Sequence, residues 1–196
     1  MEGDRERWNA KWRVRAGELE TASSFLTANA PLFPLRGKAL DLAGGAGRNA
    51  VWLARRGLDV TLVDVSDVAL DKAERKAAEA GLANKLRVYH LDLETPLPFA
   101  PLFDVVLVMN YLDRERRDDF AGLLVEGGLL VAAHPTTGSY AVGLAELLDW
   151  VKHLGFELLA THEADGEAAI IARRVAPAPE VDHPPDDPSA SDGPYR

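Results

Sequence analysis

Lys38-Ala39-Leu40-Asp41-Leu42-Ala43-Gly44-Gly45-Ala46-Gly47-Arg48-Asn49-Ala50-Val51-Trp52-Leu53-Ala54 changes its hydrophobic period partway through. The run up to Ala43 reads as a buried strand. Three glycines in the next four residues break it, and Ala50, Val51, Leu53 and Ala54 then recur at helical spacing. Gly57 followed by Leu58 supplies the glycine-then-apolar ending of a helix. A strand that turns through glycines into a helix is the opening of an open α/β sheet, and such sheets bind ligands at that turn.

The alternation continues in both directions from this segment. Asp59–Asp64 reads as a second strand, and Ser66 is placed to cap a helix that carries Ala69, Ala73, Ala77 and Ala80 and stops at Gly81. Lys85–His90, Phe103–Met109 and Gly128–Ala133 are further strands, with helices predicted over Asp113–Ala121 and Tyr140–Leu154. Phe156–His162 and Glu167–Ala172 are two strands separated only by a short Ala-Asp-Gly turn. Apolar strands alternating with helices imply a parallel sheet covered on both faces. A tight turn cannot join parallel neighbours, so the last pair must form an antiparallel hairpin. The expected fold is α/β and Rossmann-like, a seven-stranded, mostly parallel sheet with one antiparallel strand in a C-terminal hairpin.

Composition sets the boundaries. The chain has 196 residues, 47% of them hydrophobic, enough for one sizeable core. Residues 1–36 form a helical, tryptophan-bearing lead-in or lid, 37–175 the ligand-binding domain, and 176–196 a tail expected to be disordered. That tail holds half of the chain's twelve prolines and few apolar residues. No apolar run reaches bilayer length, the N-terminus opens on charge, and the cytoplasm is the expected compartment. There is no cysteine, which excludes disulfides, thiolate metal sites and thiol nucleophiles. A net charge of −9 disfavours nonspecific binding of nucleic acid.

Gly44, Gly45 and Gly47 let the backbone approach a ligand and adopt positive φ. Asp64, at the end of the second strand, can accept hydrogen bonds from both ribose hydroxyls of a nucleoside cofactor. Gly45-x-Gly47-x-x-Ala50 also satisfies the dinucleotide fingerprint, so an NAD(P)-binding protein stays open as an alternative. Asp41 discriminates between the two. A pyrophosphate at this turn would be repelled by the neighbouring carboxylate, whereas S-adenosyl-L-methionine brings a sulfonium and an ammonium that an acid favours.

Residues from about Trp8 to Arg173 resemble the small class I methyltransferases of the tellurite-resistance type. The likeness is carried by Ser24-Phe25-Leu26, by Ala39 through Ala50, and by Val60-Thr61-Leu62-Val63-Asp64-Val65-Ser66. It implies that Asp41, Ala43, Gly45 and Asn49 surround the methionine end of S-adenosyl-L-methionine, and that Asp64 holds the ribose with Val65 against the adenine. It further implies that Asp92, with Leu93 beside it, faces the adenine amino group and that Asn110 lies beneath the sulfonium. The passage His134-Pro135-Thr136-Thr137-Gly138-Ser139 is shorter than the family's usual excursion after the fifth strand, which leaves the substrate class open.

Methyl transfer from a sulfonium depends on alignment and exclusion of water, and it needs a base only when the acceptor must lose a proton. The strand-four ending Met109-Asn110-Tyr111-Leu112 lacks the paired prolines of amino-group DNA methyltransferases, which leaves a small-molecule acceptor as the expectation. His134 is either an acceptor-side base or contact, or a partly exposed loop residue. Trp8 and Trp12 share one helical face, as a lid or as simple packing. Arg114-Glu115-Arg116-Arg117-Asp118-Asp119 reads as a solvated helix face without function. An active methyltransferase and a non-catalytic cofactor-binding or regulatory module would show the same cofactor site.

Overall fold

The computed structural model describes residues 2–14, 21–100, 102–111, 113–138 and 141–175. Seven strands form one sheet: β1 (Lys38–Leu42), β2 (Asp59–Asp64), β3 (Leu86–His90), β4 (Phe103–Met109), β5 (Leu124–Pro135), β6 (Glu157–Ala164) and β7 (Glu167–Arg173). Their spatial order is β3-β2-β1-β4-β5-β7-β6. β1 to β5 pair in parallel, and β7 runs antiparallel to both β5 and β6. The single reversed strand is thus the one the hairpin inserts. Its turn, Asp165-Gly166, has positive φ at both residues (54° and 78°), the two-residue geometry that Asp-Gly supplies most readily.

Strand periodicity sorts the core into two layers. Ala39, Leu62, Val105, Leu107, Val131 and Ile171 face one side, beneath α2 (Ser24–Ala28), α3 (Arg48–Arg55) and α4 (Asp67–Glu79). Leu40, Leu42, Val106, Val108, Leu130 and Ile170 face the other, beneath α5 (Arg117–Gly122) and α6 (Leu144–His153) with Phe120, Leu147 and Trp150. Asp41 has the parity of Ala39, so it enters the α3 side, at the end of β1 where the apolar layer gives way to the ligand-binding edge. A further helix, α1 (Glu2–Val14), packs against α4.

The largest departures from the expected boundaries fall at α5, α6 and β5. α5 begins at Arg117, not Asp113, because Asp113 Oδ1 accepts the N–H groups of Glu115 and Arg116 and holds 114–116 as a turn. α6 begins at Leu144 because its cap Gly143 is extended (φ −82°, ψ 160°) and Val142 N–H bonds back to Pro135. Tyr140, placed at that helix's start from sequence, lies outside the described residues, as does the tail 176–196. β5 is longer at both ends than Gly128–Ala133. β7 carries the ladder out to Pro135, while a register shift opposite Phe103/Val105 absorbs the glycine pair. Among the described residues no helix is long and apolar enough to cross a membrane.

Candidate functional site

The carboxyl ends of β1 to β4 open into a cavity of about 860 Å³ with α1 across its mouth. Of the residues singled out from sequence, Asp41, Ala43, Gly44, Gly45, Asn49, Asp64, Val65, Asp92, Leu93 and Asn110 all line it. Gly47 does not. It starts α3 at φ +74°, and a Cβ there would stand 2.8 Å from that of Ala73, so this glycine serves close packing of α3 on α4.

Asp41 and Asp64 set the electrostatics. Asp41 is buried, and its Oδ2 has no hydrogen-bond partner. Burial, then the charge of Asp64, push its pKa up to about 7, against smaller opposing effects from Arg48 and the Ala50 N–H. Asp64 is better provided for. Its Oδ2 accepts from Gly45 N–H and its Oδ1 from Ser66 N–H, both at 2.8 Å, and these bonds partly offset the upward push of burial. The glycine loop is therefore stitched to the end of β2 by the same carboxylate that the sequence assigned to a ligand. Ala43 (φ 52°) and Asn110 (φ 57°) take left-handed backbone at the rim. For alanine that conformation costs roughly 1–2 kcal/mol, an expense found more often at functional sites than elsewhere.

Other side chains play parts the sequence did not disclose. Asn49 accepts Ser23 N–H at 3.0 Å and donates to the Met109 sulfur at 3.2 Å, so its amide clamps the segment before α2 onto α3. Asp92 Oδ1 accepts Glu94 N–H and shapes the loop after β3. Arg116 Nη1 donates to the carbonyls of Leu93 and Thr95, tying that loop to the α5 turn. Arg114 and Glu115, read from sequence as part of a solvated helix face, line the cavity beside Asp113, with Arg114 held in a two-point pair by Glu146 at 2.6 and 2.9 Å. Tyr111 lines it as well. Burial first, then the charges of Asp113, Glu94 and Asp92, drive its hydroxyl well above the ordinary tyrosine range, so it keeps its proton.

His134 corrects both expectations for it. It is the penultimate residue of β5, paired with Ala168 and buried, with Nδ1 unpartnered. Burial pulls its pKa down to about 4, so it is a neutral core histidine, and the adjacent Pro135 forms the cavity wall. Trp8 and Trp12 both line the cavity. Trp12 is buried, and an added Cβ on Gly45 would fall 2.5 Å from its ring. Lys11 lies 4.2 Å over the Trp8 ring.

Residues 39–128 match the family described as "Methyltransferase domain", and the antiparallel β7 inserted before β6 sets the sheet apart from the all-parallel dinucleotide order. This segment, a little under half of the chain, is similar to class I methyltransferase domains. It is similar to the tRNA 5-carboxymethoxyuridine methyltransferase of Escherichia coli K12, 31% identical over 108 residues covering 52% of this chain and 41% of that protein. It is also similar to the ubiquinone biosynthesis O-methyltransferase of Psychrobacter cryohalolentis, 36% identical over 77 residues covering 39% of this chain and 30% of that one. The matches thus span less than half the length of either relative. Among solved structures, the DhpI–SAH complex superposes with a TM-score of 0.62 at 21% identity, covering 89% of this chain and 98% of the other. The matched segment accounts for the position of the cavity, and the α1 residues that close it lie outside the family match.

Proposed function

We propose that this domain binds S-adenosyl-L-methionine in the cavity and transfers its methyl group to a small-molecule acceptor by in-line displacement, with the cytoplasm as its compartment. The observation that carries the reading is the bare Asp41 Oδ2, buried beside a second carboxylate. A buried anion without a partner is costly, and a cationic ligand is what relieves it. A phosphate-bearing dinucleotide would make the cost worse. The residues present therefore fit this cofactor: Asp41 toward the cationic methionine end, Asp64 with its remaining acceptor capacity toward the ribose, Val65, Asp92 and Leu93 toward the adenine, and Ala43, Gly44, Gly45, Asn49 and Asn110 as the surrounding wall. Bound there, S-adenosyl-L-methionine supplies an electrophilic methyl on a positively charged sulfur.

The chain's own contribution is positioning and exclusion of water. Trp8 and Trp12 wall the cavity from α1, and Tyr111 and Pro135 wall it from the ends of β4 and β5. Tyr111 keeps its proton, and His134 lies buried in the sheet outside the cavity lining with its basicity weakened by burial, so neither is set up to take a proton from the acceptor. This favours an acceptor that is nucleophilic as bound. The tRNA-modifying relative supplies a second reading, an RNA acceptor. Against it stand the net charge of −9 and a lining that carries seven acids and four bases.

Calorimetry with S-adenosylhomocysteine, followed by cofactor-consumption assays on a panel of phenols, carboxylates, amines and unmodified tRNA, tests the proposal. Saturable S-adenosylhomocysteine binding and turnover on a small molecule are expected. Binding without turnover on any acceptor would favour the non-catalytic module, and turnover on tRNA alone the RNA reading. Tight NADH binding with none of S-adenosylhomocysteine would overturn the assignment.

A further inference from the structure

We propose that Asn9 is a positioning residue that couples the seating of α1 to cofactor binding, an inference that rests on the cofactor reading above. Asn9 is buried on a helix made mostly of charged and polar residues. Its Oδ1 accepts from Ser66 Oγ at 2.6 Å, and its Nδ2 donates to Asp67 Oδ1 at 2.5 Å. Ser66 is already committed on its other side, since its N–H donates to Asp64 Oδ1 and its Oγ accepts the Ala69 N–H to cap α4. The second oxygen of Asp64 takes Gly45 N–H, and Gly45 in turn lies under the Trp12 ring. Trp12 is three residues after Asn9, on the same face of α1. The contacts close a ring: Asn9, Ser66, Asp64, Gly45, Trp12, and back through one turn of helix.

This arrangement does more than tether a helix. The exposed Arg5–Asp67 pair, 3.3 Å apart, also ties α1 to α4, but neither of its residues lines the cavity. Asn9 instead reaches the one residue that both caps α4 and orients the ribose-side acid. A ligand that fixes Asp64 and Gly45 also fixes Ser66, the seat of Asn9. Reciprocally, α1 seated through Asn9 lays Trp12 over Gly45. Linkage requires the effect to run equally in both directions. Asn9 itself acts through Ser66, Asp67, the Val68 N–H that its Oδ1 also accepts at 3.4 Å, and the backbone of its own helix.

Hydrogen exchange on the full chain, with and without S-adenosylhomocysteine, reads the coupling without any substitution: the ligand should slow exchange of α1 amides. Asn9→Ala should weaken S-adenosylhomocysteine about tenfold by calorimetry, within the usual range of coupling between sites, and abolish the ligand's protection of α1. Asn9→Asp sets a carboxylate against Asp67 and should behave alike. The double change Asn9→Asp with Asp67→Asn restores a donor–acceptor pair and should recover affinity to within about threefold of wild type, which a general loss of stability would not do. Wild-type binding that leaves α1 exchange unchanged, or an Asn9→Ala protein that binds like wild type, overturns the coupling alone. No binding to wild type overturns the cofactor reading and the coupling with it.

Discussion

Asp64 uses one carboxylate for two tasks. Its oxygens accept the buried N–H groups of Gly45 and Ser66 at 2.8 Å, and each oxygen has a further lone pair for a ribose hydroxyl. Asp64→Ala should therefore do more than weaken S-adenosylhomocysteine ten- to a hundred-fold, the range for losing charge-assisted bonds worth about 1.5–3 kcal/mol. It should also lower the melting temperature, because two buried donors are stranded at roughly 1–3 kcal/mol each. Calorimetry and a thermal melt check the two halves separately, and an unchanged melting temperature would deny Asp64 its structural part. The acid itself was legible, since strand ends in open α/β sheets carry such residues. Its commitment to Gly45, nineteen positions away, was not, because no local pattern reports a tertiary hydrogen bond. Asn49 shows the same limit: the resemblance gave it a ligand, and the structure gives its amide to Ser23 and Met109.

Elements were legible wherever one period or one turn decided them. The Asp165-Gly166 turn fixed the hairpin, and the hairpin fixed which strand is antiparallel. α5 and β5 were misjudged at their ends, where Asp113 bonding its own backbone and pairing with a distant β7 outweigh local pattern. The glycine turn makes a testable contrast between neighbouring elements, since its glycines serve different helices. Gly47→Ala forces a Cβ within 2.8 Å of Ala73 at φ +74° and should wedge α3 from α4. A loss of about 1–3 kcal/mol in global stability is expected, as for other overpacked sites. Gly45→Ala places its Cβ 2.5 Å from the Trp12 ring at φ +56°. It should instead loosen α1, seen as faster exchange of α1 amides and as weaker S-adenosylhomocysteine binding. Equal effects of the two substitutions on α1 exchange would refute the division.

Across the whole molecule, two buried titrating groups act on stability with opposite sign over nearly the same pH range. Asp41 has its pKa raised from 3.8 to about 7, so the folded state holds this proton more tightly than the unfolded chain. Its contribution to stability is greatest below pH 4 and is lost as pH rises toward 7. His134 has its pKa lowered from 6.5 to about 4, so the unfolded chain takes up the proton first. Its contribution is complete above pH 6.5 and is lost as pH falls toward 4, by on the order of 3 kcal/mol for a shift of this size. Between these limits the two slopes oppose each other, and the ligand-free protein should respond to acid less than either group alone would dictate. His134→Leu removes one arm. The stability of wild type relative to this variant, from urea unfolding at pH 4 and pH 7, should fall by that amount at the lower pH. A cationic ligand removes the other arm by favouring ionised Asp41. The gain in melting temperature from saturating S-adenosyl-L-methionine, which brings a sulfonium as well as an ammonium, should therefore grow as pH rises from 5 to 7, with affinity improving by at most about tenfold per pH unit. Asp41→Asn should flatten that dependence while leaving the His134 arm intact. A ligand-induced gain that stays constant with pH in wild type would show that Asp41 does not change its ionisation when the site fills.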